Sequence, residues 1–224
     1  MKETKNEKFI SSSNYTSSEE KMNMISHIVG TALGLVALIV CIILATNNNN
    51  IIGIVSSIIY SLSIIVLYAC SSYYHGLKIK EYKRIFRVLD HCSIFLLIAG
   101  TYTVISLSGI TPLYPIVGWL VFGFVWGLAI IGIVLNAINI EKFKVISLIL
   151  NVVIGWFVMP FSKQLIESIS LDGFMLILFG GICYTIGAVI YAVGKKKKYF
   201  HFVFHLLCLA GTILHFLSVA FYCL

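Results

Sequence analysis

Charged residues are scarce in this sequence: Asp, Glu, Lys and Arg make up 11% of its 224 residues, whereas hydrophobic residues make up 59%. A soluble domain carries roughly 25% charged residues. The mean hydropathy of +0.99 agrees with this difference. The composition therefore excludes an ordinary soluble domain and predicts a protein that crosses a membrane several times.

Cysteine motifs are also missing. The six cysteines are scattered through apolar segments, and no two of them have CxxC spacing. This pattern argues against a disulfide framework and against a thiolate metal site, and it favours buried free thiols.

The start of the chain lacks a signal peptide pattern. Residues 1–21 are polar and contain neither a short apolar core nor a small-residue cleavage site. We therefore expect residues 1–23 to form a polar cytoplasmic tail, and the first apolar segment to act as its own insertion signal.

Long apolar segments fill the rest of the chain. A helix needs about 20 apolar residues to cross the hydrocarbon core, and seven segments qualify. The fifth segment is the weakest, because Pro160 and Lys163 lie at its end. The sequence thus predicts an all-α protein whose residues 24–224 form a seven-helix transmembrane bundle. The predicted spans are 24–45, 51–75, 88–108, 113–136, 145–162, 171–193 and 200–222.

Basic residues predict the orientation of this bundle. If the seven spans alternate in direction, 15 of the 16 Lys and Arg residues fall on the side of the N-terminus, and only Lys163 falls opposite. The positive-inside rule then places the N-terminus in the cytoplasm and the C-terminus outside. Because topology accounts for the net charge of +7, we expect no nucleic-acid partner.

Histidines at the ends of two predicted spans suggest a metal site. His201 and His205 are spaced i, i+4 and share a helix face. With His75 from the end of the second span, they would form a three-histidine site with an open fourth position, as in catalytic zinc centres. The i, i+4 pair alone is better explained by polar contacts between helices or by chance than by a metal site.

Two further polar residues lie at the same predicted depth. Asp90 begins the third span, and an ionisable residue within a span is a functional candidate by default. Ser71 lies one turn before His75 on the same face. We expect His27 and His91, near helix ends, to meet headgroups and water. For the deeper His215 we expect an interhelical hydrogen bond.

Four stretches resemble the hemolysin III family, the bacterial-type branch of the progestin and adipoQ receptor (PAQR) superfamily. The resemblance implies seven helices, a cytoplasmic N-terminus and a Zn²⁺ ion held by His75, His201 and His205, with Ser71 and Asp90 at the family's serine and aspartate positions. The superfamily is similar to the alkaline ceramidases, zinc amide hydrolases that act on lipids. The stretches are "EEKMNMISHIVGTALGL" (19–35), "SSYYHGLK" (71–78), "RVLDHCSIFLLIAGTYT" (87–103) and "HFVFHLLCLAGTILHF" (201–216).

Three functions are compatible with these residues. The leading hypothesis is a multi-pass plasma-membrane protein with zinc-dependent hydrolase chemistry, or a role in membrane-lipid homeostasis. Asp90 would act as the base, Ser71 would orient the water or carbonyl, and a lipid or acyl chain would enter between helices. The alternatives are a membrane sensor or receptor with structural zinc, and a cytolytic pore former. The sequence does not indicate an oligomeric state.

Overall fold

The computed structural model describes residues 15–194 and 197–224, which form helices joined by short turns, and these residues contain no β-strand. The all-α prediction is confirmed. A 3₁₀ turn, Met159–Phe161, precedes the fifth helix, and π-helical turns extend the third and last helices over Ile105–Ile110 and Val219–Cys223. The helices are α1 (Ser17–Asn47), α2 (Ile51–Gly76), α3 (Lys80–Val104), α4 (Pro115–Gly155), α5 (Ser162–Val193) and α6 (Phe200–Ser218).

Helix α1 begins at Ser17, before the predicted start at residue 24. A capping box accounts for this start. The Thr16 hydroxyl accepts a hydrogen bond from the Glu19 backbone N–H at 3.3 Å, and the Glu19 carboxylate accepts one from the Thr16 N–H at 2.8 Å. Polar residues that the hydropathy pattern assigned to a tail thus form the first turns of α1. Residues 1–14 of the predicted tail lie outside the described residues.

The described residues contain five helical stretches long and apolar enough to cross a membrane, instead of the seven predicted. The difference lies in the fourth stretch, Pro115–Val193, which covers three predicted spans. At about 1.5 Å per residue, the 41 residues of α4 alone measure about 60 Å, roughly twice the hydrocarbon thickness. Polar residues that we interpreted as loops continue the helices. Non-helical backbone occurs within them only at single positions, Asn139 in α4 and Ser170 (φ 65°) in α5.

Packing brings α6 back against α1. Extensive contacts join α1 to α2, α2 to α3, α3 to α4, and α5 to α6, and a smaller interface joins α1 to α6. Fully buried side chains such as Tyr60, Ile64, Tyr68 and Phe95 fill the core between them. This arrangement places the end of α2 and the start of α6 beside the start of α1.

Large apolar side chains cover the outer surface of the bundle. Ile39 of α1, Ile51 of α2 and Ile116 and Ile138 of α4 are each more than half exposed. A soluble protein rarely exposes contiguous apolar surface on this scale, so this surface is the part that contacts lipid.

Candidate metal centre

Three imidazoles meet where α2 ends and α6 begins. His75 lies in the last turn of α2, and His201 and His205 lie in the first two turns of α6. The Nε2 atom of His201 is 3.4 Å from Nε2 of His75 and 2.9 Å from Nε2 of His205. One nitrogen from each ring lies within 4.8 Å of the others, so the three residues could hold a metal ion. The structure therefore brings together the three predicted ligands.

The donor atoms suit a nitrogen-ligated metal ion. His75 and His205 are 4% and 1% exposed, which shields the cluster from water. A carboxylate accepts from Nδ1 of His75, so the lone pair of that ring is on Nε2, the atom that faces the other imidazoles. Three imidazoles whose nitrogens converge in this way match zinc ligands better than calcium or magnesium ligands, which are oxygens.

The carboxylate on His75 belongs to Glu20, a residue that sequence reasoning missed. Glu20 Oε2 is 2.5 Å from His75 Nδ1, and its other oxygen accepts from Lys83 Nζ at 2.8 Å. Metal-bound histidines usually donate their second nitrogen to such a group. Glu20 was overlooked because residues 1–23 were interpreted as a tail, although "TSSE" at 16–19 has the form of a capping box.

His27 also belongs to this centre, so the expectation that it meets headgroups and water is wrong. It is 5% exposed. Its ring centroid lies 3.8 Å from that of His205 and 4.8 Å from that of Tyr68. Gly30, one turn later, makes this burial possible, because a Cβ atom there would lie 2.3 Å from the Tyr68 ring.

Ser71 lies on α2, the helix that carries His75, and Asp90 lies on α3, which packs against α2. Ser71 is buried on α2, one turn before His75. The Asp90 carboxylate lies 3.9 Å from Nδ1 of His91, and the Asp90 carbonyl accepts from Ser93. Within the described part of the chain, no hydrogen bond joins the Asp90 carboxylate to Ser71 or to the three clustered histidines. The catalytic roles of Ser71 and Asp90 stay predictions.

The two remaining histidines, His91 and His215, hydrogen-bond backbone carbonyls outside the cluster. His215 Nε2 donates to the Ile177 carbonyl of α5 at 3.1 Å, which confirms the predicted interhelical hydrogen bond. His91 is partly exposed, and its Nδ1 donates to the Arg87 carbonyl one turn earlier.

The start of α1 covers one side of the cluster. The Tyr15 ring stacks on His201 with a centroid separation of 4.8 Å, and burial raises the pKa of Tyr15 to about 12. Glu19 accepts the backbone N–H of Tyr199 at 2.7 Å, which ties this turn to the segment before α6. The centre is thus enclosed by α1, α2 and α6.

The amino-acid sequence is similar to those of known proteins. The profile of the family described as "Haemolysin-III related" matches residues 15–216. The chain is 36% identical over 209 residues to a Bacillus subtilis (strain 168) protein named Hemolysin-3 homolog, covering 93% of this chain and 96% of that one. It is 35% identical over 209 residues to Hemolysin-3 of Bacillus cereus, covering 92% of each chain.

A more distant relative comes from animals. The human Monocyte to macrophage differentiation factor is 25% identical over 171 residues, covering 72% of this chain and 67% of that one. The match at residues 15–216 includes the helices that carry all three clustered histidines. Together with the membrane-length helices of the structure, this match shows that the chain is a multi-pass integral membrane protein of the cell membrane and belongs to the haemolysin-III related family.

Proposed function

We propose that this protein is a zinc-dependent lipid hydrolase of the membrane, with His75, His201 and His205 as the zinc ligands. The observation that carries the proposal is the convergence of three imidazole nitrogens from two helices within 4.8 Å. Three protein ligands leave a fourth position for water or substrate, which is the usual difference between catalytic and structural zinc sites.

The neighbouring residues supply the other parts of a hydrolytic reaction. When bound, zinc would supply Lewis-acid chemistry at its open position. Asp90 would accept a proton from the attacking water and return it to the leaving group. Ser71, buried one turn from His75, would orient the water or the substrate carbonyl. The reaction would cleave an amide or an ester.

The proposal includes seven membrane crossings, with the N-terminus in the cytoplasm and the C-terminus outside. The stretch Pro115–Val193 is long enough for three crossings. The non-helical positions inside α4 and α5, Asn139 and Ser170, lie between the predicted crossings. This path puts the metal centre at the cytoplasmic leaflet, on the side of the basic residues.

Membrane lipids are the proposed partners. The outer face of the bundle carries exposed apolar side chains, so a lipid or an acyl chain would reach the centre laterally, between helices. No nucleic-acid partner enters the proposal, because the topology accounts for the basic residues.

A structural zinc site in a sensor or receptor is the second candidate. It is favoured by the ion pairs Glu20–His75 and Glu20–Lys83, which join α1, α2 and α3 around the cluster. In that case the metal would hold α2 and α6 together without turnover.

A cytolytic pore is the third candidate, because two relatives are named as hemolysins. The exposed apolar side chains speak against a soluble form that could attack another cell. Lysis of red cells by added detergent-free protein would favour this candidate over the hydrolase.

Metal content is the first test of the hydrolase proposal. We expect about one zinc per chain in detergent-purified wild type by mass spectrometry, and its loss from His201→Ala/His205→Ala. His215→Ala is the matched control, because this α6 histidine bonds Ile177 outside the cluster. Absence of stoichiometric metal in chelator-free wild type would contradict the proposal.

Turnover is the second test. Zinc-loaded wild type should release fatty acid from a panel of lipid amides and esters, whereas Asp90→Ala should retain zinc and lose most of the activity. Removal of a general base typically costs about 10²- to 10⁴-fold in rate. Bound zinc without turnover, together with a large loss of thermal stability on chelation, would favour the structural-zinc candidate.

A further inference from the structure

Helix α1 turns a polar face towards the metal centre. Glu20, Asn23 and His27 are spaced i, i+3, i+7, so they lie on one face of the helix. The first binds His75 and the last contacts His205. Asn23 lies between them along α1 and is 0% exposed.

Two of these side chains have no hydrogen-bond partner among the residues that the structure describes. Neither the oxygen nor the nitrogen of the Asn23 amide is bonded, and neither ring nitrogen of His27 is bonded. Native structures pair almost all buried polar groups, because each unpaired group lowers the stability of the fold. A leucine at position 23 would fill similar space without this cost, so the polar pair points to a bound group that satisfies it.

The hydrogen-bonding capacity of the pair restricts what can bind there. An Asn amide offers two donors and accepts at its oxygen, and a neutral imidazole offers one donor and one acceptor. Both side chains therefore need donors as well as acceptors from the ligand. An ester or a carboxylate brings acceptors only and would leave the Asn23 oxygen and one His27 nitrogen unsatisfied. A secondary amide or a hydroxyl brings both.

We propose that Asn23 and His27 form a subsite for the uncharged amide or hydroxyl group of a lipid substrate, beside the metal position. The subsite rests on the proposed function for its role in the reaction, because the metal would act on the carbonyl of the same lipid. Binding of the polar group to α1 can be measured apart from turnover. The subsite selects lipids that carry both a donor and an acceptor over esters of the same length.

The test compares two uncharged probes that differ in their donors. N-octanoylethanolamine has an amide N–H and a hydroxyl, and 2-methoxyethyl octanoate has neither. Calorimetry on zinc-loaded wild type in lipid nanodiscs should give at least about tenfold tighter binding of the amide, since the ester would leave buried acceptors of Asn23 and His27 unpaired. Asn23→Leu and His27→Leu should abolish this preference by weakening the binding of the amide probe.

Asn151→Leu is the matched control, because the side-chain oxygen of Asn151 in α4 also has no hydrogen-bond partner within residues 15–194 and 197–224. It should keep the amide preference. In the ligand-free state, Asn23→Leu should unfold at the same temperature as wild type or higher, since it removes unpaired groups. Asn23→Ala replaces Asn23→Leu if the leucine variant is not recovered folded.

Three results would overturn the subsite: equal affinity for the two probes, a preference that survives Asn23→Leu, or binding of neither probe, in which case water alone occupies the position. A lower unfolding temperature for both ligand-free Asn23 variants would also overturn it, because Asn23 would then support the fold. Zinc is measured in the same samples. A preference for the amide without stoichiometric zinc would contradict the hydrolase proposal but support the subsite. Stoichiometric zinc without a preference for the amide would contradict the subsite but support the hydrolase proposal.

Discussion

At the metal centre, Glu20 determines which nitrogen of His75 is free to bind a metal. Its carboxylate accepts from Nδ1 at 2.5 Å and leaves the lone pair on Nε2. The second oxygen is held by Lys83, so the carboxylate cannot easily rotate away. The ring of His75 is thereby oriented before any metal binds.

Glu20→Gln should weaken zinc binding by about 10- to 100-fold, the usual effect of losing such an outer hydrogen bond. The amide has no charge to stabilise a metal-bound imidazole. Competition with a fluorescent chelator measures the affinity. Glu19→Gln is the control, because Glu19 bonds Thr16 and Tyr199 instead of a histidine. Equal affinities of Glu20→Gln and wild type would show that Glu20 does not position the ligand.

Residue spacing predicted the three imidazoles but not their surroundings. His201 and His205 share a face by their i, i+4 spacing, and the span ends placed His75 at the same depth. Glu20 and His27 could not be placed this way. Their roles depend on α1 beginning at Ser17 and packing closely on α2 through Gly30. The capping box "TSSE" at 16–19 is a local signal for that helix start. The packing through Gly30 is a property of helix contacts, and no local pattern in the sequence specifies it.

At the scale of the helices, the contact between α1 and α2 brings His27 to the cluster. Gly30 faces Tyr68, with a Cβ position only 2.3 Å from the ring. Tyr68 in turn hydrogen-bonds Thr212 of α6 at 2.7 Å. Movement of the Tyr68 ring would therefore disturb the packing of three helices, α1, α2 and α6.

Gly30→Ala should lower the unfolding free energy by about 1–3 kcal/mol, because the tyrosine must shift out of a packed interface. Thermal unfolding in detergent measures this. Gly123→Ala and Gly127→Ala in α4 are the controls, since a Cβ at either position meets nothing within 4 Å. They should be neutral or stabilising, because alanine is the better helix former. A Gly30→Ala variant as stable as these controls would contradict the close packing.

Helix continuity explains why the number of spans differed from the sequence prediction. The segment "NAINIEKFK" is polar enough to read as a loop, yet its backbone stays helical except at Asn139, whose side-chain oxygen accepts the Lys142 N–H at 3.0 Å. Hydropathy reports the solvent that a residue prefers, whereas helix formation depends on backbone hydrogen bonds that polar residues also permit. The polarity of a segment therefore predicts where the chain leaves the membrane better than it predicts where a helix ends.

At the scale of the whole molecule, the seven-crossing path can be tested at the backbone breaks inside α4 and α5. Asn139 and Ser170 are both exposed. If Pro115–Val193 crosses three times, Ser170→Cys should react with a membrane-impermeant maleimide on intact cells, and Asn139→Cys should react only after permeabilisation. The unsubstituted chain, with its six free cysteines, gives the background. Labelling of both positions from outside would contradict the path.

Metal removal should act on the bundle as a whole, because the ligands lie on α2 and α6 and Glu20 adds α1. A ligand that binds only the folded state at 100 times its dissociation constant stabilises that state by about 2.7 kcal/mol. Chelation should therefore lower the unfolding temperature of wild type, and added zinc should restore it. His201→Ala/His205→Ala should show neither change, whereas His215→Ala should behave like wild type. An equal response of the double variant and wild type would place the bound metal somewhere other than this cluster.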